Sequence, residues 1–519
     1  MAQVRSTPGI GRVADPQRGR PSLRVIGTGP SAAPTAAEAD ALRTAGILRD
    51  QGVGSGDRVL LKAGNSPEFV AALLALVHLD TSIVLVDAEQ TAEETHRVAR
   101  FTGVRFALVE QHGPLPDGVR QLRVADLAPM QGTTPGNRES GERFSAERWR
   151  ARADALVLWS SGTTGEPKAV VKSGSAFLRN LERTRRYLGY RADDVLLPVL
   201  PFSHQYGLSM IFLAWLAGAS LVVVPHTRLD RALTAGALHG ATVVDATPAT
   251  YRSLISLGQR RPRLLSGLDR VRLWCTGGAP MDRELGRHFA EATGSPLLDG
   301  YGSTEAGNIA YATPGNPHGC GRVLDGVDVR IVGEDGRSLP PTEVGEVWVR
   351  TPDLMEGYLT EIGTVAPPTR TEHYRTGDLG YRDESGNLHV LGRKFAVHRL
   401  GHTLYPEVLE RKAEACGRPV KIVSLEDARR GHELTFVVED PAEEEPRLWR
   451  QRICALLPPY EQPNHVLVMN RFPVNHRGKT DVSALTEHVH RALARKNPGR
   501  AGTAPQTGTK ERRNHCVPK

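Results

Sequence analysis

Short runs of Val, Ile, Leu and Ala recur along the first part of the chain, separated by stretches in which apolar residues fall at helical spacing. The runs at Arg58–Lys62, Ser82–Val86, Phe106–Glu110, Leu156–Trp159, Leu221–Val224, Thr242–Asp245 and Val271–Trp274 read as buried strands. Thr35 and Glu38 form a capping-box pattern ahead of Leu42, Ala45 and Leu48, with Gly52 to stop that helix, and Ser66–Pro67 starts another. Strand alternating with helix in this way predicts parallel sheets covered by helices. From Val327 the texture changes. Val327–Val332, Gly345–Arg350 and Leu388–Leu391 alternate polar with apolar between DG, EDG and ESGN turns, which predicts a small antiparallel β subdomain over about 325–393. After Gly392 and Arg393 a helix near Tyr405, strands at Lys421–Leu425 and Glu433–Glu439 and a helix near Leu448–Leu457 predict a compact α+β unit. Residues 130–150 are polar and Gly-rich, the pattern of a surface loop. The expected fold is therefore α/β: a disordered tail over 1–30, a large core over 31–393, a smaller α+β domain over 394–495 and a second disordered tail over 496–519.

The uncharged stretch Leu208–Val224 nearly reaches membrane-spanning length. Gly218, Ala219 and Ser220 interrupt it and Val222–Val224 is β-branched, so a buried helix, a turn and a buried strand account for it, with no membrane span. With 39% hydrophobic and 24% charged residues in 519, the composition is that of a globular chain with several packed units. The net charge of +8 comes mostly from scattered arginines, and aromatics are only 5%, so the excess reads as solvated surface and no nucleic-acid partner is expected. The five cysteines are widely spaced and form no CxxC pair, which indicates neither a disulfide framework nor a zinc site. No apolar segment follows Arg5, Arg12 and Arg18 as in a secretory signal, and a reducing cytoplasm is the expected location.

Four polar segments carry candidate chemistry. In LVLWSSGTTGEPKAVVK an apolar run breaks into Ser160, Ser161, Gly162, Thr163, Thr164 and Gly165, followed by Lys168. Glycines let backbone amides close on an anion, hydroxyls add donors and lysine adds charge, a combination suited to phosphate, although the P-loop pattern GxxxxGK[ST] is absent. In DGYGSTEAG, Gly300, Gly302 and Gly307 permit a sharp backbone path. Tyr301 offers a flat face for a base there, and Thr304 and Glu305 offer oxygens suited to Mg²⁺. Upstream, Gly277, Gly278 and Ala279 follow a buried strand and allow close backbone approach to a ligand. In YRTGDLGYRDESGNLHVLGR, Asp378 is expected in a turn, able to accept from vicinal hydroxyls, and Arg393 ends a strand. In NHRGKTD, Lys479 follows a glycine in a polar loop after the apolar run Val466–Met469.

The four segments, in this order, resemble the motifs of the adenylate-forming superfamily of acyl- and aryl-CoA synthetases, peptide-synthetase adenylation domains and luciferases. The resemblance covers about residues 35–490. It implies activation of a carboxylic acid by ATP as acyl-AMP with release of pyrophosphate, then transfer to a thiol, CoA or carrier-protein phosphopantetheine. By the same resemblance Ser160–Thr164 and Lys168 serve the β- and γ-phosphates. Asp299, Gly300, Tyr301 and Gly302 serve adenine together with Gly277, Gly278 and Ala279; Asp378 and Arg393 serve ribose. Thr304, Glu305 through Mg²⁺ and Lys479 serve the reacting centre. It also implies a C-terminal domain that rotates between the two half-reactions, removing Lys479 for the second.

PFSHQYG resembles the acid-pocket motif of the acyl-CoA synthetases, in which His204 stands beside the substrate carboxylate. Amino-acid-activating relatives carry an aspartate near the place that Gln205 takes here, so a neutral-tailed aromatic or medium aliphatic acid is expected. Gln205, Tyr206, Thr247, Gly277 and Thr304 are the expected pocket residues. The chain departs from the pattern in two places. Relatives carry an extra helix and strand before the position of Thr35, where only Arg24–Gly29 is available. At the hinge GRKFAVHRLGHTLYPEVLE has Phe395 where relatives have a charged residue, and His398, Arg399 and His402 alter the hairpin expected to line the acceptor tunnel. The acceptor therefore stays open between CoA, a carrier-protein thiol and an amine. The alternatives are an amide-forming ligase and a non-catalytic nucleotide-binding protein of the same fold.

Overall fold

The structure, a computed structural model, describes residues 23–27, 35–127, 142–161, 167–281, 283–360, 365–366, 368, 373–393, 397–399, 402–404, 406–427, 431–457, 461–475 and 479–496. The expected terminal tails thus lie almost entirely outside the described residues. The chain divides into two compact units, Met1–Lys394 and Phe395–Lys519.

The larger unit is built on two long sheets. One has nine strands in the order Arg322–Val323, Gly307–Tyr311, Leu298–Ser303, Leu273–Thr276, Val243–Ala246, Val195–Val199, Ser220–Val222, Arg24–Ile26 and Thr35–Ala36. Its middle, from Leu298–Ser303 to Arg24–Ile26, is parallel. The other has eight: Val365–Ala366, Gly357–Leu359, Pro167–Lys172, Leu156–Ser161, Ser82–Leu85, Arg58–Lys62, Phe106–Val109 and Arg120–Arg123. It is parallel from Leu156–Ser161 to Arg120–Arg123 and antiparallel beyond. The central strands are buried on both faces, which is why their sequences read as continuous apolar runs rather than alternating ones. Leu73, Leu158, Phe177, Phe212 and Leu221, from helices and strands of both sheets, share one apolar cluster.

Helix Pro67–His78 starts as expected, with Ser66 accepting from the Phe69 N–H and Pro67 in the first turn, where its missing N–H costs nothing. Leu208–Val224 is helix Gln205–Ala217, a left-handed Gly218 and strand Ser220–Val222. No helix among the described residues is long and apolar enough to cross a membrane. A four-stranded antiparallel sheet, Asp328–Val332, Gly345–Arg350, Tyr374–Arg382 and Leu388–Arg393, forms the β subdomain.

Three expectations are corrected. The Thr35–Glu38 capping box does not form: Thr35–Ala36 is a strand, the helix begins at Ala37, and the Glu38 carboxylate instead accepts from the Leu23 N–H. Arg24–Ile26, inside the expected disordered tail, is a strand of the nine-stranded sheet, lying between Ser220–Val222 and the edge strand Thr35–Ala36. Asp378 lies inside strand Tyr374–Arg382 rather than in a turn, because the glycine-containing TGD triplet is absorbed as an irregularity in the ladder. In the predicted loop 130–150, Glu147–Ala151 is a short helix pinned by the fully buried Trp149, and residues 128–141 lie outside the described residues.

The smaller unit holds a three-stranded sheet, Val420–Asp427, Gly431–Glu439 and His465–Met469, with helices Pro406–Ala413, Pro446–Cys454 and Val482–Lys496. Leu409, Leu434, Phe436, Trp449 and Ile453 form its core. Strand Val397–Arg399 pairs with His402–Leu404 as a separate hairpin. The side chains of Phe395, His398, Arg399 and His402 lie outside the described residues.

Candidate active site

The turn carrying Thr304 and Glu305 links strands Leu298–Ser303 and Gly307–Tyr311, which form an antiparallel hairpin. Gly300 is required there by packing, since a Cβ would lie 2.3 Å from the Tyr311 ring. A residue missed by the sequence reading fixes this turn. Lys172 is fully buried, and its ammonium donates to the backbone carbonyls of Thr304 (3.2 Å), Glu305 (3.2 Å) and Asp353 (3.3 Å). Burial pushes the lysine down to about 8, against the pull of Asp353, Glu305 and Glu356. Asp353, itself fully buried, is held by Arg179 and Arg183 on helix Gly174–Leu188. The signal for Lys172 was a charge closing a strand whose Ala169, Val170 and Val171 are all buried: such a cation must have internal partners.

Glu305 is buried, and its carboxylate accepts from the Tyr358 hydroxyl at 3.3 Å. Among the described residues no cation pairs with it. None of those residues forms a three-ligand metal cluster either. That donor set suits Mg²⁺, which takes one or two carboxylates and completes its shell with phosphate oxygens and water.

Tyr301 and Asp378 are brought together across two sheets, the phenol donating to the Asp378 carboxylate at 2.6 Å. The Tyr301 ring packs with Ala306, Ile309 and Val329 and is 8% exposed. Asp378 stands opposite Arg393 in the antiparallel ladder, which sets the two expected ribose residues side by side. Asp299 is buried and accepts from the Cys320 thiol. Gly302 is on the same strand as Tyr301, and Gly278 and Ala279 follow strand Leu273–Thr276 at its carboxyl end.

Of the phosphate segment, Ser160 stands opposite Lys168 and Ser161 opposite Pro167 in the Leu156–Ser161/Pro167–Lys172 ladder. Gly162, Thr163, Thr164 and Gly165 lie outside the described residues. The Ser160 hydroxyl is buried with no hydrogen-bond partner among the described residues. The Lys168 ammonium lies 5.1 Å over the Tyr358 ring, the same tyrosine that bonds Glu305.

The acid-pocket residues cluster at the start of helix Gln205–Ala217. His204 pairs with Asp87 at 3.0 Å, and the Ser203 hydroxyl donates to the same carboxylate. Burial pushes Asp87 up, but hydrogen bonds from His204, the Glu89 backbone and Ser203 outweigh it and hold the carboxyl well below the usual range. Asp87, just past strand Ser82–Leu85, was also missed; it is the group that orients the histidine. Gln205 donates to the Ser303 carbonyl at 2.9 Å, tying the helix to the Thr304–Glu305 turn, while its Oε1 is buried without a partner among the described residues. Tyr206 donates to Asp245 at 2.9 Å. A Cβ on Gly277 would meet the Gly300 carbonyl at 3.1 Å and the Tyr206 ring at 3.4 Å, so the glycine lets the backbone pass close to both. Thr247 is spent on capping helix Pro248–Arg260, accepting from the Thr250 N–H.

In the smaller unit, Lys479 is exposed; its carbonyl accepts from the Asn475 N–H and its own N–H donates to the Asn475 side-chain Oδ1. Val474 and Thr480 bridge below it, and helix Val482–Lys496 follows.

Residues 35–359 match the AMP-binding enzyme family. The chain is 29% identical to 4-coumarate–CoA ligase 3 of Oryza sativa subsp. japonica over 418 residues, 75% of this chain and 74% of that protein. It is 30% identical to indoleacetate–CoA ligase of Aromatoleum aromaticum (strain DSM 19018 / LMG 30748 / EbN1) over 388 residues, 71% and 75% of the two chains. Among solved structures, ATP-bound MatB from Rhodopseudomonas palustris superposes with a TM-score of 0.78 at 24% identity, covering 91% of this chain and 96% of that one. The amide bond synthetase McbA from Marinactinospora thermotolerans does so with a TM-score of 0.75 at 23% identity, covering 91% and 97%. With its sheets, its hairpin-borne glutamate and its separate C-terminal unit, the chain belongs to the AMP-binding enzyme family.

Proposed function

We propose that this protein is an AMP-forming acid–thiol ligase. It activates a carboxylic acid with ATP as acyl-AMP, releases pyrophosphate and passes the acyl group to CoA. The observation that carries the reading is the convergence around one turn: Lys172 holds the backbone of Thr304 and Glu305, Gln205 holds Ser303 beside them, and the Glu305 carboxylate stands without a cation among the described residues. A carboxylate is a poor electrophile. Bonding one of its oxygens to the α-phosphorus while the bond to pyrophosphate breaks gives a mixed anhydride with AMP as leaving group. The chain's part is to align two anions and offset charge on the α-phosphate.

In this reading Ser160–Thr164 and Lys168 bind the β- and γ-phosphates, and Asp378 and Arg393 the ribose. Tyr301 holds the Asp378 carboxylate in place, and Asp299 with Gly277, Gly278 and Ala279 borders the base. Glu305 and Thr304 would hold Mg²⁺, which supplies charge neutralisation at the phosphates when bound. His204, oriented by Asp87, stands beside the acid's carboxylate. Lys479 donates to that carboxylate and to the α-phosphate, then withdraws with its unit for thioester formation. An aromatic or arylalkyl acid is proposed, supported by relatives named as 4-coumarate, indoleacetate and 3-hydroxybenzoate CoA ligases.

ATP–pyrophosphate exchange over a panel of such acids, followed by mass spectrometry of products with CoA or amines, tests this. Acid-dependent exchange and a CoA thioester support it. Exchange with an amide product and no use of CoA would replace it with the amide-forming alternative.

A further inference from the structure

Asp245 is 2% exposed, and its side chain is half satisfied. Its Oδ1 accepts the Tyr206 hydroxyl at 2.9 Å, and its Oδ2 is buried with no hydrogen-bond partner among the described residues. The residue is third in strand Val243–Ala246, a central parallel strand of the nine-stranded sheet, with Pro198 and Cys275 as its register neighbours. Ligands of such sheets bind beyond the carboxyl ends of the strands, and Asp245 lies at that end, one residue before Ala246. Tyr206 joins it to the expected acid pocket: the same phenol whose hydroxyl meets Asp245 has its ring edge against Gly277, 3.4 Å from where a Cβ would stand.

The Tyr206 hydroxyl asks for one acceptor oxygen here, and nothing among the described residues asks for the second. As a carboxylate its Oδ2 lacks a donor, and as an acid its O–H lacks an acceptor; an apolar residue of similar size would avoid that cost. Tyr206 donates into the group, which favours the carboxylate. Burial pulls the other way and pushes Asp245 up to about 7. Tyr190, Tyr251, Tyr311 and Cys275 surround it, and the Tyr251 hydroxyl is already spent on the carbonyls of Val244 and Cys275. The buried Oε1 of Gln205, one residue from Tyr206, is a second acceptor lacking a donor among the described residues. Neither open position has a hydrogen-bond donor among the described residues.

We propose that Asp245 and Tyr206 form the polar end of the acyl pocket, and that the acid this protein activates carries a hydroxyl or amino group on its tail that donates to Oδ2 of Asp245. This deepens the function proposed above and rests on it: it names the acid as donor-bearing and assigns Asp245 as the residue that selects it. A site built to bond a substrate hydroxyl discriminates strongly against the analogue that lacks it, because the buried partner is left unpaired.

The test is acid-dependent ATP–pyrophosphate exchange with hydroxylated, aminated, methoxylated and unsubstituted versions of cinnamic, phenylacetic and benzoic acids. The wild type should favour the best hydroxyl or amino acid over its unsubstituted and methoxy counterparts by at least about 10-fold in kcat/KM. Asp245→Asn keeps an acceptor for Tyr206 and exchanges Oδ2 for an N–H donor, so the methoxy acid should gain on the hydroxy acid by about 10-fold or more. A purely structural aspartate would lower every acid by one factor and leave that ratio unmoved, and this result overturns the proposal. Acid-dependent rises in Tm of the wild type with ATP rank the same pairs without any variant. A ranking that favours unsubstituted acids likewise overturns it. Exchange with every acid at equal kcat/KM overturns this inference alone, whereas exchange with none overturns the adenylation reading as well.

Discussion

Replacing Lys172 by methionine keeps the length of the side chain and removes its charge and donors. Three carbonyls lose the ammonium, but the Glu305 carbonyl keeps the Met355 N–H at 2.7 Å, so the Thr304 and Asp353 carbonyls bear the loss. An unsatisfied buried carbonyl costs about 1–3 kcal/mol. Against that stands the strain of burying the charge: the fall from 10.5 to about 8 corresponds to roughly 3 kcal/mol. The two nearly cancel, so Lys172→Met should change unfolding free energy at pH 7 by less than about 2 kcal/mol. Catalysis should not escape so lightly. The turn bearing Thr304 and Glu305 loses its internal tether, and exchange kcat should fall about 10–100-fold. The pH dependence gives a sharper signature. Between about pH 8 and 10.5 the unfolded lysine still binds a proton that the folded one has released, so wild-type stability rises with pH relative to the variant, by up to roughly 3 kcal/mol. Denaturant unfolding followed by tryptophan fluorescence checks this, because Trp149, Trp159, Trp215, Trp274 and Trp348 all report on the larger unit. A stability difference that is flat over that range, or an unchanged kcat, would refute the reasoning.

Three further substitutions probe separate parts of the site. Gly277→Val places methyl groups against the Gly300 carbonyl and the Tyr206 ring, and should lower kcat/KM for bulky aromatic acids by about 100-fold; because Gly277 also borders the base in this reading, the KM for ATP should rise as well, and unchanged kinetics for both substrates would contradict it. Tyr301→Phe removes the 2.6 Å bond to Asp378, and a charge-assisted bond of about 1.5–3 kcal/mol should appear as a roughly 10–100-fold rise in the KM for ATP. Lys479→Ala should cut acid-dependent exchange by at least about 100-fold yet spare thioester formation from supplied acyl-AMP; equal loss of both half-reactions would contradict the alternation of the C-terminal unit.

The strands of the parallel sheets were legible because both of their faces are buried: Ser82–Leu85, Phe106–Val109 and Leu273–Thr276 have no polar face to confuse the period. The β subdomain was legible through its turns. The first helix was not, because Thr35–Ala36 pairs with Arg24–Val25 some ten residues earlier, a contact that local capping signals cannot report. Asp378 was misplaced for the opposite reason: a glycine beside an aspartate looks like a turn, yet the ladder to Leu388–Arg393 runs through it. Segments whose residue types announce their chemistry stood out in the sequence. The residues that hold those segments in place did not. Lys172, Asp87, Asp353 and Asp245 sit in unremarkable sequence and acquire meaning only from partners distant in the chain: Thr304, His204, Arg183 and Tyr206.

The central claim is that the acid is activated through a bond between its own carboxylate and the α-phosphorus of ATP. An acid labelled with heavy oxygen in its carboxylate tests this directly, with the AMP formed in complete turnover analysed by mass spectrometry. One labelled oxygen per AMP is the predicted result. Unlabelled AMP, or label appearing in inorganic phosphate alongside ADP, would contradict it.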